Sequence, residues 1–340
     1  MLRRTLARFG IDPYLIALMA TVAVAAIFPA HGVGAEVAND AVSVAVALLF
    51  FLYGARLSPQ AVWEGLLHWR LQSLVFASTY VLFPLLGLLL TRIFGGYLPS
   101  ELIAGLIFVC ILPSTVQSSI AFTSIARGNV AAALCSASVS NLFGMVITPL
   151  LVVLLLNSNG GGFSARAVES IALQLLLPFV VGQLLRRWIG PFLHRHKSPI
   201  SLVDRGSILL VVYAAFSEGM VAGIWSQVTL ADLGLVIALD VVLLAAVLAI
   251  TTFVSRRLGF SKEDEIAIVF CGSKKSMASG IPMANILFPG QALGLIVLPL
   301  MLFHQAQLFA CAVLAQRYAR RPLPSKAEMP ESSGTAVAKA

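Results

Sequence analysis

The stretch that decides the fold is IVFCGSKKSMASGIPMANILFP, residues 268–289. Apolar residues precede and follow a polar run, Gly272–Ser276, that contains two adjacent lysines. A lysine at the centre of a bilayer costs roughly 3 kcal/mol, so it normally faces a cavity or a partner and serves a function. The glycine and serines beside Lys274 and Lys275 suit an unwound backbone, which is tolerated at membrane depth only inside protein or beside water. The pattern therefore predicts a broken transmembrane helix.

The composition places the whole chain in a membrane. Of its 340 residues, 59% are hydrophobic and 11% are charged, whereas about 25% are charged in an average soluble domain. The net charge of +8 is explained by membrane topology, and we expect no nucleic-acid partner. The four cysteines lie in apolar segments without metal-like spacing, so we expect free thiols and no metal site. Without a nucleophile–base constellation or a nucleotide-binding loop, neither an enzyme nor a cofactor is expected.

Hydropathy predicts an all-α polytopic membrane protein with ten membrane-spanning segments. The segments are residues 12–30, 40–56, 71–92, 101–126, 130–157, 167–189, 204–223, 231–255, 263–288 and 292–317. The stretch that follows, residues 320–340, is rich in Pro, Ser and Ala and predicts a disordered cytoplasmic tail.

The distribution of basic residues predicts the orientation. When the loops are assigned to alternate sides, all but four of the 23 lysines and arginines fall on the side of the N-terminus. Arg92 and Arg166 lie on the other side, and Lys274 and Lys275 lie within a segment. Because cytoplasmic loops carry an excess of Lys and Arg, we expect an inner-membrane protein with both termini in the cytoplasm.

The ten segments divide into two predicted five-helix repeats, residues 1–160 and 161–319. Because five is odd, the second repeat must be inverted in the membrane, and segment 4 then corresponds to segment 9. Segment 4 is also interrupted, since Pro113 removes a backbone donor and clashes with the preceding turn. Paired interrupted segments indicate a transporter site near the membrane midplane. The candidate substrate- or ion-binding residues at the two breaks are Ser114, Thr115, Gln117, Ser118, Ser119, Ser273, Lys274, Lys275 and Ser276.

Three motifs in the chain resemble the bile acid:sodium symporter family. They are CGSKKSMASGIPMANILFP at 271–289, LPSTVQSSIAFT at 112–123 and the turn ARGN at 126–129, and the resemblance extends over about residues 11–318. It implies that six helices form a core domain and four form a panel domain. It also implies that the broken fourth and ninth helices cross within the core, and that an anionic substrate binds between the two domains.

The chain departs from this family at the expected sodium sites. In sodium-coupled members, an acidic residue at the break of the ninth helix and nearby polar groups bind two sodium ions. Here Ser273 aligns with that acidic residue, and a lysine follows it. Thr79 matches a polar ligand position in segment 3, and Ser136 and Asn141 lie near those of segment 5. A sodium site that lacks its carboxylate and adjoins a lysine should be weak, because like charges repel strongly at low dielectric.

The two lysines allow several roles. Lys274 and Lys275 lie about 100° apart around a helix, so they cannot both face one spot if the backbone is helical. Either at least one attracts an anionic substrate, replaces a coupling cation or carries a proton, or the lysines snorkel or form a buried ion pair. Glu218 in segment 7 and Asp240 in segment 8 are the possible charge partners. The polar side chains at the breaks can also satisfy freed backbone groups.

The sequence therefore predicts a secondary active transporter of organic anions, either bile-acid-like or smaller carboxylates, that works by alternating access. Its partners are the anionic substrate and the lipid bilayer, and Na+ is a possible coupling ion. One alternative is a proton-coupled or uncoupled carrier in which lysine replaces the cation. Another is an efflux carrier for a small oxyanion or metalloid near Cys110 and Cys271. The third is a regulatory membrane protein of the same fold.

Overall fold

The computed structural model describes residues 13–57, 67–156, 172–223, 228–289 and 291–321. Within these residues the secondary structure consists of helices, with no strand. The first seven are α1 (Pro13–Ile27), α2 (Val33–Arg56), α3 (Trp69–Ala77), α4 (Phe83–Phe94), α5 (Ser100–Ile111), α6 (Val116–Ile125) and α7 (Val130–Leu156). The others are α8 (Leu177–Arg195), α9 (Lys197–Val221), α10 (Leu230–Arg257), α11 (Lys262–Gly272), α12 (Met277–Leu287) and α13 (Leu293–Ala319). A π-helical turn, Ser78–Leu82, joins α3 to α4.

Six helices of the described chain are long and apolar enough to cross a membrane, and the bent pair α5 and α6 makes a seventh crossing if it counts as one span. The six are Val33–Arg56, Trp69–Tyr97, Val130–Leu156, Ser198–Val221, Leu230–Arg257 and Leu293–Ala319. This confirms the predicted all-α membrane protein. Ten crossings and two inverted repeats stay predictions. The predicted repeat boundary at residues 160 and 161, and the predicted tail beyond residue 321, lie outside the described residues.

The break predicted in segment 4 is present. α5 ends at Ile111 and α6 begins at Val116, and the two helices are bent by 59°. Pro113 has no N–H to continue the helix, and the preceding residue, Leu112, takes the extended conformation that a following proline favours. The bend therefore follows from one proline.

The break predicted in segment 9 is also present, between Gly272 and Met277. Ser276 has an extended backbone, and its Oγ accepts from the N–H of Ser279 at 3.2 Å, so that it caps α12. A serine in this position satisfies one of the N–H groups that a helix start leaves without an intrahelical partner. The polar run thus ends one helix and starts the next.

A third irregularity lies between α3 and α4. The N–H of Phe83 donates to the carbonyl oxygen of Ser78, five residues earlier. In a regular α-helix this N–H would bond to Thr79, and the next residue in the chain, Pro84, has no N–H to offer. Thr79 therefore presents a main-chain oxygen without a helical donor.

The helices pack in two groups that meet beside the breaks. In the first group α2 packs along α8, and α9 packs along α1 and α2. In the second group α13 contacts α5, α6 and α10, and α11 contacts α3, α6, α7 and α10. α9 also contacts α12 and α13, and Tyr53 Oη on α2 donates to the carbonyl oxygen of Ala278 on α12 at 3.1 Å. These contacts join the first group to the second.

Glycines bring α2 and α8 into backbone contact. A Cβ added at Gly54 of α2 would overlap the carbonyl oxygen of Phe179 on α8, and a Cβ added at Gly182 of α8 would overlap that of Phe51. Small residues allow helices in a membrane to approach closely, and their association depends on van der Waals packing. These two glycines therefore set the separation of α2 and α8.

We expect Gly54→Ala to lower the apparent melting temperature of the purified protein, because overpacking costs roughly 1–3 kcal/mol. Gly34→Ala is the matched control, since Gly34 lies on the same helix with open space around it. Alanine at that position should be neutral or slightly stabilising. Thermal unfolding in one detergent measures both variants, and equal melting temperatures would contradict the close contact.

Candidate functional site

The two breaks lie against each other and exchange hydrogen bonds. The N–H of Ser276 donates to the carbonyl oxygen of Pro113 at 2.9 Å. In the opposite direction, Ser114 Oγ donates to the carbonyl oxygen of Cys271 at 2.6 Å. Each broken helix thus satisfies backbone groups of the other, as a membrane interior without water requires. We call this region, residues 112–119 and 270–276, the crossing.

The ammonium of Lys275 is buried at the crossing with a full set of acceptors. The residue has no exposed surface, and its Nζ donates to the carbonyl oxygens of Thr79, Cys110 and Leu112, each at 2.8 Å. A protonated lysine has three N–H donors, so three acceptors match the charged form. The ring centroid of Phe83 lies 4.1 Å from the same Nζ and adds a cation–π contact. One positive charge is therefore enclosed by main-chain oxygens.

Local structure explains why these three oxygens are free. The π-helical turn leaves Thr79 without a helical donor, as described above. Cys110 lies in the last turn of α5 and Leu112 lies in the break, where carbonyls have no intrahelical partner. The N–H of Ser114 would serve Cys110 in a continuous helix, but it donates to Ser140 Oγ at 3.0 Å. The irregular backbone thus creates the acceptors that the lysine uses.

Lys274 occupies a different environment. It is equally buried, but its Nζ has no hydrogen-bond partner in the part of the chain that the structure describes. The amine lies 4.0 Å from the ring centroid of Phe122 and 5.6 Å from that of Phe270. The two lysines therefore serve separate sites, one lined by carbonyl oxygens and one lined by aromatic rings.

Gln307 on α13 holds the backbone of Lys275, and it is not among the ligands that the sequence predicts. Its Oε1 accepts from the N–H of Lys275 at 2.8 Å, and its Nε2 donates to the carbonyl oxygen of Lys275 at 2.9 Å. The same Nε2 lies 2.9 Å from Nδ1 of His304. The available signal was an amide in the middle of an apolar helix, where buried polar groups need partners.

Several predicted ligands do come together on one side of the crossing. Asn141 Nδ2 donates to the carbonyl oxygen of Ser114 at 2.5 Å, and its Oδ1 accepts from Ser279 Oγ at 2.9 Å. Thr115 Oγ1 and Ser118 Oγ lie 2.7 Å apart at the start of α6. Asn141 therefore links α7 to both broken helices.

Other predicted ligands have hydroxyls that bind the protein backbone. Ser273 Oγ and Thr79 Oγ1 each donate to a carbonyl oxygen four residues earlier, at 2.6 and 2.8 Å. Ser119 Oγ donates to the carbonyl oxygen of Phe270 across the crossing at 3.2 Å. Ser136 Oγ is buried and has no hydrogen-bond partner among the described residues. Thr79 thus contributes its main-chain oxygen to the lysine site, and its hydroxyl stays within α3.

The possible ion pair between a lysine and an intramembrane acid is not formed among the described residues. Asp240 is 1% exposed, and neither of its carboxyl oxygens has a hydrogen-bond partner in the described chain. Glu218 is exposed near the end of α9. Such a pair would neutralise a buried lysine, but the broken helix supplies main-chain oxygens to Lys275 instead.

A cavity of about 550 Å³ lies between the crossing and the first group of helices. From the crossing, α7 and α12 it is lined by Thr115, Gln117, Ser118, Ser138, Asn141, Ser276 and Ser279. From α1, α2, α8 and α9 it is lined by Tyr14, Phe50, Tyr53, Arg56, Phe179, Asp204 and Arg205, among others. The cavity therefore has hydroxyl and amide groups on one wall and aromatic and charged groups on the other.

The charged wall carries a net positive charge. Arg56 Nη1 lies 2.6 Å from Asp204 Oδ2, and Arg56 Nη2 donates to Asp204 Oδ1 at 3.2 Å. The guanidinium of Arg205 lies 5.3 Å from the ring centroid of Tyr14. Two guanidinium groups against one carboxylate attract anions to the cavity.

The cysteines of the metalloid hypothesis have different surroundings. Cys271 Sγ lies 3.6 Å from the carbonyl oxygen of Ala133, whereas a Cβ at Gly87 would overlap Sγ of Cys110. Both thiols are buried and free. No group of three or more potential metal ligands occurs within the described residues.

A profile of the SBF-like CPA transporter family matches residues 12–320, which is nearly the whole chain. The chain belongs to this family. The match confirms the resemblance that the motifs at the two breaks indicated, and it confirms that the chain is a membrane transporter homologue.

Individual relatives agree with the family assignment. A protein of Pseudomonas aeruginosa is 56% identical over 327 residues, which cover 96% of this chain and 98% of the relative. YfeH of Escherichia coli, which is named as a proposed symporter, is 51% identical over 326 residues, which cover 96% of this chain and 98% of the relative. Sodium/bile acid cotransporter 7 of Rattus norvegicus is 29% identical over 320 residues, covering 92% and 93%.

Lys275→Met should destabilise the protein far more than Lys274→Met. The first change leaves three buried carbonyl oxygens without their donor, at roughly 1–3 kcal/mol each. The second removes an amine that has no acceptor and keeps an unbranched chain beside Phe122, so its cost should stay below about 1.5 kcal/mol. Thermal unfolding of both variants in the same detergent measures the difference. A larger loss for Lys274→Met would contradict these roles.

Proposed function

We propose that this protein is a secondary active transporter of amphipathic organic anions that works by alternating access. The cavity between the crossing and the first helix group is the proposed substrate site. One observation carries the proposal: the cavity joins a positively charged wall to the polar groups of two crossed, broken helices. Transporters place such broken helices at their substrate sites near the membrane midplane. The names of relatives, a symporter and a sodium/bile acid cotransporter, support this function.

The walls of the cavity match a substrate with an acidic group, an apolar body and hydroxyls. Arg205 makes no ion pair within the described chain, so its N–H donors remain for an acidic group. Phe50 and Phe179 provide apolar surface, and the groups around Asn141 offer hydrogen bonds to hydroxyls. Bile-acid-like anions and smaller hydroxylated carboxylates have this chemistry.

Lys275 supplies the charge that a bound coupling cation would supply. Its ammonium occupies a ring of three main-chain oxygens, the kind of ligand that broken transporter helices offer to coupling ions. A sodium ion beside it would face a repulsion of about 4 kcal/mol at 4 Å and an effective dielectric constant of 20. The proposed transport is therefore independent of sodium, although the names of the animal relatives include sodium.

The membrane arrangement belongs to the same proposal. Ten crossings in two inverted repeats, cytoplasmic termini and an inner-membrane location follow from hydropathy and from the distribution of basic residues. Arg56 and Arg205 belong to the basic residues assigned to the cytoplasmic side. The positive wall of the cavity therefore lies toward the cytoplasm in this arrangement.

We expect Arg205→Gln to weaken the binding of taurocholate, supplied as its potassium salt, by about tenfold or more, because a charge-assisted hydrogen bond contributes roughly 1.5–3 kcal/mol. Arg187→Gln makes the same chemical change at an exposed position of α8 away from the cavity lining and should leave affinity unchanged. Isothermal titration calorimetry in potassium buffer measures both.

Equal losses for the two arginine variants would mean that overall charge, and not the cavity, attracts the anion. If the wild-type protein binds neither taurocholate nor smaller hydroxylated carboxylates with any cation, the transport proposal fails and the regulatory alternative is favoured.

Sodium should raise the melting temperature of the protein only when the ammonium group of Lys275 is removed. In wild type we expect equal melting temperatures in sodium and in potassium. In Lys275→Ala the three carbonyl oxygens become available, and sodium should raise the melting temperature because a ligand that binds only the folded state stabilises it. Lys274→Ala is the matched control and should not respond to sodium, since that amine has no hydrogen-bond partner among the described residues. Sodium stabilisation of wild type would restore a sodium-coupled mechanism.

A further inference from the structure

Asp240 is a buried acid to which the proposed transport site assigns no role. It is 1% exposed in the middle of α10, and both carboxyl oxygens lack hydrogen-bond partners among the described residues. An ionised carboxylate without partners is very costly in an apolar interior, and such a group takes up a proton instead. The orphaned carboxyl therefore points to a protonated aspartic acid in this conformation.

Several ionisable groups on the elements packed against α10 have partners elsewhere. Glu265 on α11 binds Arg256, Lys262 and Tyr318. The remaining groups at or near the crossing have other partners: Tyr80 donates to the carbonyl oxygen of Ser140, His304 adjoins Gln307, and Cys271 and Cys311 lie beside Lys274. Cys110 on α5 is one described side chain that lies within electrostatic range of Asp240.

Cys110 connects Asp240 to the crossing. Its side chain lies within electrostatic range of both the Asp240 carboxyl and the Lys275 ammonium. Its carbonyl oxygen is also one of the three acceptors of Lys275. Five residues later, Thr115 lines the substrate cavity. The backbone of residues 110–115 thus lies near Asp240, binds the ammonium group of Lys275 and reaches the substrate cavity.

We propose that Asp240 is a proton-binding site whose occupancy is linked to the anion site. With the proton bound, the charge of Lys275 is balanced by main-chain oxygens alone. When the proton leaves for water, the new carboxylate attracts the ammonium and competes with the oxygens of Cys110 and Leu112. Those oxygens belong to the break beside the cavity, so anion affinity and proton affinity change together, by the same factor in each direction.

The role in a transport cycle rests on the proposed function, whereas the bound proton does not. One proton binds a carboxylate oxygen from water on one side of the membrane and is released as the same proton on the other side. Together with one monovalent anion, this movement transfers no net charge. The chain then couples anion movement to a pH gradient without sodium.

Infrared difference spectroscopy tests for the proton. Purified protein labelled with ¹³C-aspartate, compared across pH, should show the carbonyl stretch of a protonated carboxyl group near neutral pH. Asp240→Asn should abolish this band. Asp40→Asn makes the same change at an exposed position of α2 and should keep the band. A wild-type spectrum without the band, or a band that survives Asp240→Asn, would overturn the proposal.

Proteoliposomes test the coupling. With radiolabelled taurocholate and no sodium, an imposed pH gradient should speed net uptake several-fold in wild type and in Asp40→Asn. Asp240→Asn should retain exchange of labelled for unlabelled anion at equal pH and lose the response to the gradient. A gradient response in Asp240→Asn equal to wild type would overturn the linkage and leave the transport function intact.

Failure of transport itself gives a different pattern. If wild type shows no exchange of taurocholate or of smaller carboxylates, the proposed function fails and the proposed linkage fails with it. The infrared band then decides by itself whether Asp240 holds a proton. If Asp240→Asn does not fold, Asp240→Glu retains a titratable group, and its band should shift with the change of side chain.

Discussion

A lysine charge in the interior of a membrane protein is the constraint on which this structure depends. Lys275 needs acceptors on three sides, and regular helices offer none because their carbonyl oxygens are already bonded. The chain supplies them by ending α5 early and by shifting the end of α3 into a π-helical turn. Gln307 then fixes the backbone of the lysine from α13. The irregular ends of α3 and α5 and the side chain of Gln307 thus meet around one lysine.

The reciprocity of the two breaks explains how such an irregular interior is tolerated. Each interrupted helix exposes polar backbone groups that would be costly in a dry environment. The other interrupted helix lies against it and provides serine hydroxyls and an N–H within hydrogen-bond distance of these groups. Neither break would satisfy its backbone without the other, so the two halves of the chain depend on each other at their centre. Ser276, which takes part in this exchange, also borders the cavity, so the site inherits part of its polarity from the requirements of the fold.

The sequence carried the helical class, both breaks and most of the polar residues of the site. Pro113 and the Gly272–Ser276 run have local meaning, because a missing N–H or a polar run interrupts a helix in nearly any context. The sequence could not show which lysine binds which acceptors. Every residue has a main-chain oxygen, so the residue type does not tell whether that oxygen is available. Thr79 illustrates this: its side chain was the expected ligand, but a proline five residues later frees its carbonyl.

The possible pairing of a lysine with Asp240 is absent from the described residues for a related physical reason. The charges of the side chains predict that a buried lysine pairs with a buried acid. They do not include the carbonyl dipoles that become available where a helix is unwound. Gln307 was missed because a single amide in an apolar helix is a weak pattern. Its role depends on how α13 packs against the break between α11 and α12, because this packing places Gln307 beside Lys275. The absent lysine–Asp240 pair and the contact of Gln307 with Lys275 both depend on distances between helices, which the spacing of residues along the chain does not give.

The glycine contact between α2 and α8 has a mechanical consequence. Two helices whose backbones touch cannot slide or tilt against each other without driving main-chain atoms together, so they behave as one stiff plate. Any rocking of the molecule must carry this plate whole. In the proposed alternating access, the relative motion would then occur along the cavity, where side chains and the hydrogen bond from Tyr53 to Ala278 connect this plate to the second group of helices. A substrate bound there would lie between this plate and the second group of helices and would contact both.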